Sequence, residues 1–308
     1  MLTLPQTELN VSDLCFGGNV FGWTADQAQS FELLNHFVEH GGNFVDSADV
    51  YSAWKEGNVG GESETVIGNW LQSNGKRDQV VIATKVAFLE TRKGLSATNI
   101  ALACEDSLRR LKTDYIDIYY AHGDDLETDL EETLGAFNEL VVSGKVRYIA
   151  ASNYTHYRLA EALRISEANG FAKYIALQNR YSMVAREPYE SDSAKSVQDF
   201  GISGLPYSTL GSGFLSGKYK EGQTVDSARA VAVGNNYANA ENFALLRRVE
   251  EIAQRHSVSN TAVALEWLRN QTGVTVPIAS GRTVEQLTAL MQSVALSSEE
   301  VSFLTGTN

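Results

Sequence analysis

Residues 80–85 read Val-Val-Ile-Ala-Thr-Lys, a short run that is apolar until its final cationic side chain. A strand covered on one face alternates apolar and polar residues, whereas a parallel strand covered on both faces is apolar almost throughout. Seven more runs of the second kind follow the same pattern, at residues 14–17, 43–46, 115–122, 148–152, 174–178, 202–207 and 274–278. The pattern therefore predicts eight buried parallel strands.

Longer stretches between these runs have the apolar spacing of amphipathic helices. They span residues 25–40, 96–111, 129–142, 155–169, 241–256, 261–270 and 283–293. Strands that alternate with helices over 308 residues predict an α/β fold of the (β/α)8 TIM-barrel type, as one domain over residues 1–308. An open doubly wound sheet would need a glycine fingerprint after its first strand, and Gly17-Gly18-Asn19 does not match one. We expect residues 2–11 to form a hairpin that caps the barrel bottom.

The charge of the chain disfavours several classes of partner. It carries 25 basic and 38 acidic side chains, a formal net charge of −13, which repels nucleic acid and anionic membranes. No apolar run is long enough to span a bilayer, and the first residues lack the pattern of a signal peptide. Only Cys15 and Cys104 are present, which predicts neither a disulfide framework nor a cysteine-based metal site. We expect a cytoplasmic protein that binds no metal.

Polar side chains stand at the ends of six successive runs. They are Asp46, Lys85, His122, Ser152 with Asn153, Gln178, and Tyr207. In a (β/α)8 barrel these ends open on the face that carries the active site. Each residue alone has a structural explanation, such as a turn cap or a surface lysine. Six together predict a polar site, because a buried polar group without a partner costs about 1–3 kcal/mol.

Four longer motifs occur in a fixed order along the chain. The first is Gly-Asn-Phe-Val-Asp-Ser-Ala-Asp-Val-Tyr at residues 42–51, followed by Gly-Glu-Ser-Glu at 61–64. The others are Tyr-Ile-Asp-Ile-Tyr-Tyr-Ala-His at 115–122 and Tyr-Ser-Thr-Leu-Gly-Ser-Gly-Phe-Leu-Ser-Gly-Lys-Tyr at 207–219. Together these motifs resemble the signature of the aldo-keto reductase family, and the resemblance covers nearly the whole chain. It implies the predicted barrel and an NADPH-dependent reduction of an aldehyde or ketone to an alcohol.

The resemblance implies a catalytic tetrad of Asp46, Tyr51, Lys85 and His122. Carbonyl reduction needs a hydride at carbon and a proton at oxygen, and tyrosine, with an ordinary pKa of about 10, is a weak acid at neutral pH. We expect the Lys85 ammonium to stabilise the tyrosinate and to lower the pKa of Tyr51. Asp46 would keep Lys85 charged, and His122 would donate a hydrogen bond to the substrate oxygen.

The resemblance also implies residues for the nicotinamide and the pyrophosphate of NADP(H). Ser152, Asn153 and Gln178 would bind the carboxamide, and Tyr207 would face the ring. The loop after the seventh run would hold the pyrophosphate, because its small residues let the backbone approach closely. The loop residues are Ser208, Leu210, Gly211, Ser212 and Lys218.

The adenosine end of the cofactor would lie after the eighth run. Ser280 and Arg282 precede a predicted helix whose free amides favour an anion, and they would bind the 2′-phosphate that distinguishes NADP(H) from NAD(H). Gln286 would face the adenine. Leu290 stands where many relatives carry an asparagine, which changes part of the adenine contact.

Four aromatic side chains in loops after strand ends are candidates for the substrate site: Phe21, Trp23, Trp54 and Phe88. Apolar walls around a few polar groups suit a small-molecule carbonyl compound. A role in the core or in a lid is an equal alternative for each ring. Members of the family are often monomers, so the resemblance implies a monomer.

Two other functions are compatible with this sequence. A non-catalytic, cofactor-binding redox-sensing subunit would use the same fold and the same cofactor residues. A Schiff-base aldolase would use Lys85 as its nucleophile. The aldolase has no use for the carboxamide residues or for Ser280 and Arg282, so a reductase is the leading prediction.

Overall fold

The structure, a computed structural model, describes residues 1–223 and 225–306. Its centre is a sheet of eight parallel strands paired in the order β10-β3-β4-β5-β6-β7-β8-β9. These are β3 (Cys15–Gly17), β4 (Phe44–Asp46), β5 (Val81–Val86), β6 (Ile116–Ala121), β7 (Val146–Ser152), β8 (Tyr174–Gln178), β9 (Ser203–Gly204) and β10 (Ile278–Ala279). The amides of Thr275, Val276 and Ile278 donate to the carbonyls of Gly204 and Pro206, so the sheet closes into a barrel. The predicted (β/α)8 barrel is confirmed.

Eleven α-helices are assigned within the described residues. They are α1 (Gln27–Glu39), α2 (Glu62–Asn74), α3 (Ala97–Leu111), α4 (Leu130–Val142), α5 (His156–Asn169), α6 (Ala194–Phe200), α7 (Ala230–Asn236), α8 (Ala240–His256), α9 (Asn260–Arg269), α10 (Val284–Leu290) and α11 (Ser298–Thr305). Polar side chains fix several helix starts at the predicted residues: Ser96, Asp129 and Thr155 each accept a hydrogen bond from an amide in the first turn.

The last two predicted strands are wrong in extent. The run at 202–207 gives only Ser203–Gly204, and the run at 274–278 contributes only its last residue to β10. Pro206 and Pro277 have no amide hydrogen to donate to a ladder. Gly204 also packs so closely on the Gly273 carbonyl that an added Cβ would lie 1.7 Å from its oxygen. Sequence reasoning also missed α2, α6, α7 and α11, and it made the helix over 283–293 too long.

The first residues form the predicted hairpin. Strands β1 (Leu2–Thr3) and β2 (Asn10–Val11) pair antiparallel. Leu4, Leu9 and Val11 are buried and belong to the same apolar cluster as the residues that fill the barrel interior. The hairpin therefore caps the bottom of the barrel, and the opposite end, where the parallel strands end, is left for a site.

Candidate active site

Four polar side chains of the predicted tetrad meet at the carboxyl ends of β4, β5 and β6. The Lys85 ammonium donates to Asp46 Oδ2 at 2.6 Å and to the Ser47 carbonyl at 2.5 Å. It also lies 3.2 Å from the Tyr51 phenol oxygen, which donates to Asp46 Oδ2 at 3.3 Å. The Tyr51 and His122 rings are 6.1 Å apart, centre to centre. Side chains from three different strands and one loop thus converge on a single point.

Tyr51 keeps its proton in this arrangement. Burial and the Asp46 carboxylate raise the pKa of Tyr51 well above its ordinary value. The expectation that Lys85 lowers this pKa is therefore wrong for the observed geometry, because the loss of water and the negative charge outweigh the cation. A protonated phenol beside an ammonium can give up a proton when a partner oxygen gains charge, and the ammonium then stabilises the phenolate left behind.

His122 is uncharged. Burial and the nearby Lys85 ammonium lower the pKa of His122 well below its ordinary value. Its Nδ1 is buried and has no hydrogen-bond partner among the described residues. The ring lies against Phe88, with 4.7 Å between ring centres. A neutral imidazole carries one donor nitrogen, so it can donate to a substrate oxygen without bringing a second positive charge next to Lys85.

The three predicted carboxamide residues and Tyr207 form one hydrogen-bonded group next to the tetrad. Gln178 Nε2 donates to Asp46 Oδ1 at 3.0 Å, and Ser152 Oγ donates to the Gln178 carbonyl at 2.7 Å. The Tyr207 hydroxyl donates to Asn153 Oδ1 at 2.8 Å. Ser152 and Gln178 are buried, whereas Asn153 is exposed. The barrel therefore brings the four residues together, and it ties them to the tetrad through Gln178.

The backbone around the site adopts left-handed conformations that side chains disfavour. Asn153, Ser208 and Ser212 have φ values of 59°, 56° and 56°. Gly211 also has a positive φ, and a Cβ there would lie 2.6 Å from Val184 Cγ2. Such strain is characteristic of functional loops that the surrounding fold holds in place. The predicted pyrophosphate loop is thus a built turn rather than a flexible excursion.

A cavity of about 470 Å³ extends from the tetrad towards α10. Asp46 and Tyr51 line one end, and Arg282 and Gln286 line the other. The predicted cofactor residues that line it are Tyr207, Ser208, Leu210, Ser212, Lys218, Ser280, Arg282 and Gln286. Gly211 and the three carboxamide residues are not among the lining residues. The cavity nevertheless joins the two predicted sites into one elongated site.

Three cations meet in this cavity. Lys218, Arg229 and Arg282 all line it, and within the described residues none of them pairs with a carboxylate. Burial, Arg282 and Arg229 lower the pKa of Lys218. Burial also lowers the pKa of Arg229, whose guanidinium lies 5.6 Å from the centre of the Trp23 ring. Unpaired cations in a chain of net charge −13 mark a site for an anion.

The expected anion site at the start of α10 has fewer free donors than the sequence predicts. The Arg282 amide donates to Gln286 Oε1, and the Gln286 amide donates to Thr283 Oγ1. Ser280 Oγ donates to Asn19 Oδ1 at 2.6 Å. The Arg282 amide, which precedes the N-cap Thr283, and the Gln286 amide of α10 are therefore engaged within the protein, whereas the Arg282 guanidinium remains available to an anion.

Three of the four predicted substrate aromatics stand near the tetrad. Trp54 lies 5.9 Å from Tyr51 and 5.7 Å from Trp23, ring centre to ring centre. Trp54 is 49% exposed and Phe88 is 47% exposed. Phe21 is fully buried against Phe16, so the expectation that it lines the mouth is wrong. The position of Phe21 just after a strand end does not reveal, from sequence alone, that the backbone turns its ring into the core.

Two polar residues are among the cavity residues that sequence reasoning missed. Arg229 comes from the segment before α7, and Asn19 comes from the loop after β3. Arg229 stands eleven residues after Lys218, and its basic charge in an acidic chain was the available signal. Asn19 has no such signal, because only the closed barrel brings it to Ser280.

The fold and these contacts define a class: a (β/α)8-barrel protein with an Asp-Tyr-Lys-His cluster at one end of an anion-binding cavity. A family model described as the aldo/keto reductase family matches residues 13–308. The chain belongs to the aldo/keto reductase family. Members of this family generally use nicotinamide cofactors.

Individual relatives agree with this family. The Tas protein of Escherichia coli (strain K12) is 30% identical over 96% of this chain and 93% of its own length. The uncharacterized oxidoreductase YrpG of Bacillus subtilis is 32% identical over 96% of this chain and 90% of its own. The norsolorinic acid reductase stcV of Emericella nidulans is 31% identical over 96% and 78%. These similarities support an oxidoreductase that acts on carbonyl groups.

The described residues contain neither a membrane-spanning helix nor a cluster of metal ligands. None of their helices is both long and apolar enough to cross a membrane. No group of three or more histidine, cysteine, aspartate or glutamate side chains there is arranged to hold a metal ion. Both cysteines are free and buried.

Proposed function

We propose that this protein reduces the carbonyl group of an aldehyde or ketone to an alcohol with NADPH, and that Tyr51 is the proton donor. The single observation that carries the proposal is the shared cavity: Tyr51 and Asp46 line one end of it, and it also contains three cations that pair with no carboxylate among the described residues. The proposed proton donor and the proposed site for a polyanionic cofactor thus line the same cavity.

The residues present fit NADP(H). Ser152, Asn153, Gln178 and Tyr207 would hold the nicotinamide. Lys218 and Arg229 would bind the pyrophosphate, and Ser280, Arg282 and Gln286 would bind the 2′-phosphoadenosine end. The cofactor, when bound, supplies a hydride to the carbonyl carbon.

The tetrad manages the proton of the reaction. His122 donates a hydrogen bond to the carbonyl oxygen and orients it towards Tyr51. Tyr51 transfers its phenolic proton to that oxygen as negative charge develops there. The Lys85 ammonium, 3.2 Å away, stabilises the phenolate, while Asp46 holds the ammonium in place. The phenolate then recovers a proton from solvent.

The aromatic rings define the part of the substrate beyond its carbonyl group. Trp54 stands beside Tyr51, and Phe88 stands beside His122, so apolar rings flank the two groups that would hold the carbonyl oxygen. Both rings are about half exposed and free to contact a ligand. Aromatic pairs contribute about 0.5–1.5 kcal/mol beyond buried area. We therefore propose a preference for aryl carbonyl compounds.

The geometry disfavours the aldolase alternative. A Schiff-base lysine must be an accessible, uncharged amine. The Lys85 side chain is fully buried and bonds to Asp46 and the Ser47 carbonyl. Borohydride treatment with substrate should therefore leave no adduct on Lys85.

The test is loss of NADPH absorbance with benzaldehyde and with its saturated counterpart of similar size, cyclohexanecarboxaldehyde. We expect turnover of both and a higher kcat/KM for benzaldehyde, and Trp54→Leu and Phe88→Leu should reduce that ratio. Tight NADPH binding without turnover of any aldehyde or ketone in a broad panel would instead support the redox-sensing alternative. Equal kcat/KM values for the two aldehydes would contradict the aryl preference alone.

A further inference from the structure

Asp49, within the segment that joins Asp46 to Tyr51, is a buried acid without a partner. Its side chain is fully buried, and neither carboxyl oxygen has a hydrogen-bond partner among the described residues. The other buried acids among the described residues are all paired with basic side chains. Asp46 bonds to Lys85, Glu64 bonds to Arg110, and Asp117 bonds to Arg77 and Arg147.

The surroundings of Asp49 disfavour a negative charge. The charged groups that act on it are Glu64, Arg110 and Lys85, and the Tyr119 phenol lies close enough to be affected by its charge. Arg110 already bonds to Glu64 at 2.7 Å, and Lys85 already bonds to Asp46. An ionised Asp49 would thus be a second carboxylate near Glu64 and out of contact with water, and the Val50 amide, Arg110 and Lys85 offset only part of that cost. Burial and the Glu64 carboxylate raise the pKa of Asp49 to about 8.

The backbone at Asp49 is coupled to the tetrad. The Asp49 amide donates to the Lys85 carbonyl at 3.2 Å, and the Tyr51 amide donates to the Ala48 carbonyl at 3.1 Å. Glu64 accepts a hydrogen bond from Thr84 Oγ1 at 2.6 Å, one residue before Lys85. Asp49 and Glu64 are therefore attached to adjacent residues of β5. Repulsion between the Asp49 and Glu64 carboxylates would therefore act directly on the 47–51 segment, which carries Tyr51.

We propose that Asp49 is a positioning residue, neutral in the working enzyme, and that its ionisation moves the 47–51 segment and stops carbonyl reduction. The link to catalysis rests on the proposed function, whereas the neutral state of Asp49 does not. The Tyr51 phenol contacts Asp46 and Lys85 at 3.3 and 3.2 Å, so a small displacement breaks both contacts.

The first test measures unfolding and needs no substrate. An aspartate in the unfolded chain has a pKa of about 3.9. Between about pH 4 and pH 8 the unfolded state has lost a proton that the folded state keeps, so Asp49 makes the protein less stable as pH rises. Relative to wild type, Asp49→Asn should therefore gain stability across this window, by up to tenfold in the folding equilibrium constant per pH unit, and then level off.

Asp117→Asn is the matched control for unfolding. Asp117 is equally buried but bonds to two arginines, so this substitution should reduce stability at pH 7. If Asp49→Asn also reduces stability, with a difference from wild type that does not vary with pH, Asp49 is ionised and the proposal is wrong. Infrared difference spectroscopy of wild type gives a second measurement should Asp49→Asn fail to fold. A protonated carboxylic acid band at pH 7 that disappears by pH 9.5 supports the proposal, and its absence overturns it.

The second test compares kcat/KM at pH 9 with kcat/KM at pH 7 within each variant. A group that ionises near pH 8 should lower the wild-type ratio to about one tenth. Asp49→Asn, which cannot ionise at this position, should keep a ratio clearly closer to one than wild type. Equal ratios in the two proteins would overturn the positioning role, even if unfolding shows a neutral Asp49. Absence of carbonyl reduction in wild type would contradict the proposed function and the pH switch together, and unfolding and infrared would still decide the protonation of Asp49.

Discussion

The Lys85 ammonium lies 2.6 Å from Asp46 Oδ2, with the lysine side chain fully buried and the carboxylate side chain 2% exposed. Asp46 ends β4, and Lys85 is the fifth residue of the neighbouring strand β5. The pair is rigid because both partners lie on barrel strands. It places a fixed positive charge beside the Tyr51 phenol.

Removal of this charge should affect both stability and turnover. In Lys85→Met the buried Asp46 carboxylate loses its cation, which costs about 3–5 kcal/mol in comparable buried pairs. We expect a lower free energy of unfolding in urea and a loss of turnover at least as large as in Tyr51→Phe. Lys173→Met, at an exposed surface pair with Glu167, is a control that should change neither. An active Lys85→Met that is only less stable would show that Lys85 is structural.

Removal of the Tyr51 hydroxyl should separate cofactor binding from chemistry. Tyr51→Phe lacks the proton donor but keeps the ring, so NADPH affinity measured by fluorescence titration should change little. Turnover should fall by about 10²–10⁴-fold, the usual contribution of such a donor. Turnover within a few-fold of wild type would refute the tetrad assignment.

Arg282 should decide the choice between the two nicotinamide cofactors. A phosphate suits the planar guanidinium, and a charge-assisted hydrogen bond contributes about 1.5–3 kcal/mol. Arg282→Ala should therefore weaken NADPH binding by at least about tenfold and leave NADH nearly unchanged. Arg282 is exposed, so the effect should shrink with added salt. Equal loss for both cofactors, or equal binding of both by wild type, would disprove the 2′-phosphate site.

Arg229 should behave differently from Arg282. It is half-buried near Lys218 and against Trp23, in the part of the cavity proposed for the pyrophosphate. NADPH and NADH share the pyrophosphate, so Arg229→Ala should weaken both by the same factor, on the order of tenfold. Isothermal titration of both cofactors into both variants measures this contrast. A loss confined to NADPH would place Arg229 at the 2′-phosphate instead.

His122 should make the folded chain sensitive to mild acid. The pKa of His122 is lowered by burial and by Lys85, whereas an unfolded histidine titrates near pH 6.5. Below about pH 6.5 the unfolded state binds a proton that the folded state does not, so wild type loses stability as pH falls. His122→Gln lacks this titration. The difference in free energy of unfolding between the two proteins, measured from pH 8 to pH 5, should shift against wild type below pH 6.5. A constant difference would show that folding leaves the pKa of His122 unchanged.

Some parts of this protein could be predicted from local sequence alone. Continuous apolar runs identified the barrel strands, because a parallel strand covered on both faces cannot alternate. Asp46, Lys85 and His122 could also be placed locally, since each lies at the end of an apolar run, whereas Tyr51 and the loop after β9 were implied by the family resemblance. The runs 202–207 and 274–278 form shorter strands than predicted, because prolines and the close approach of Gly204 to Gly273 interrupt the ladder in ways that depend on neighbouring strands.

The tertiary structure decided what depends on the distance between remote residues and on burial. The sequence contained Asp49, Glu64 and Arg110 as ordinary charged residues. Only packing pairs Glu64 with Arg110 and leaves Asp49 without a hydrogen-bond partner for its side chain among the residues that the structure describes. It also contained Arg229 and Phe21, and only the closed barrel brings the arginine to the cavity and takes the phenylalanine into the core. The physical reason is that residue type and spacing fix the strand periodicity and the chemical groups available. Desolvation and charge pairing, by contrast, depend on which remote groups the fold brings into contact.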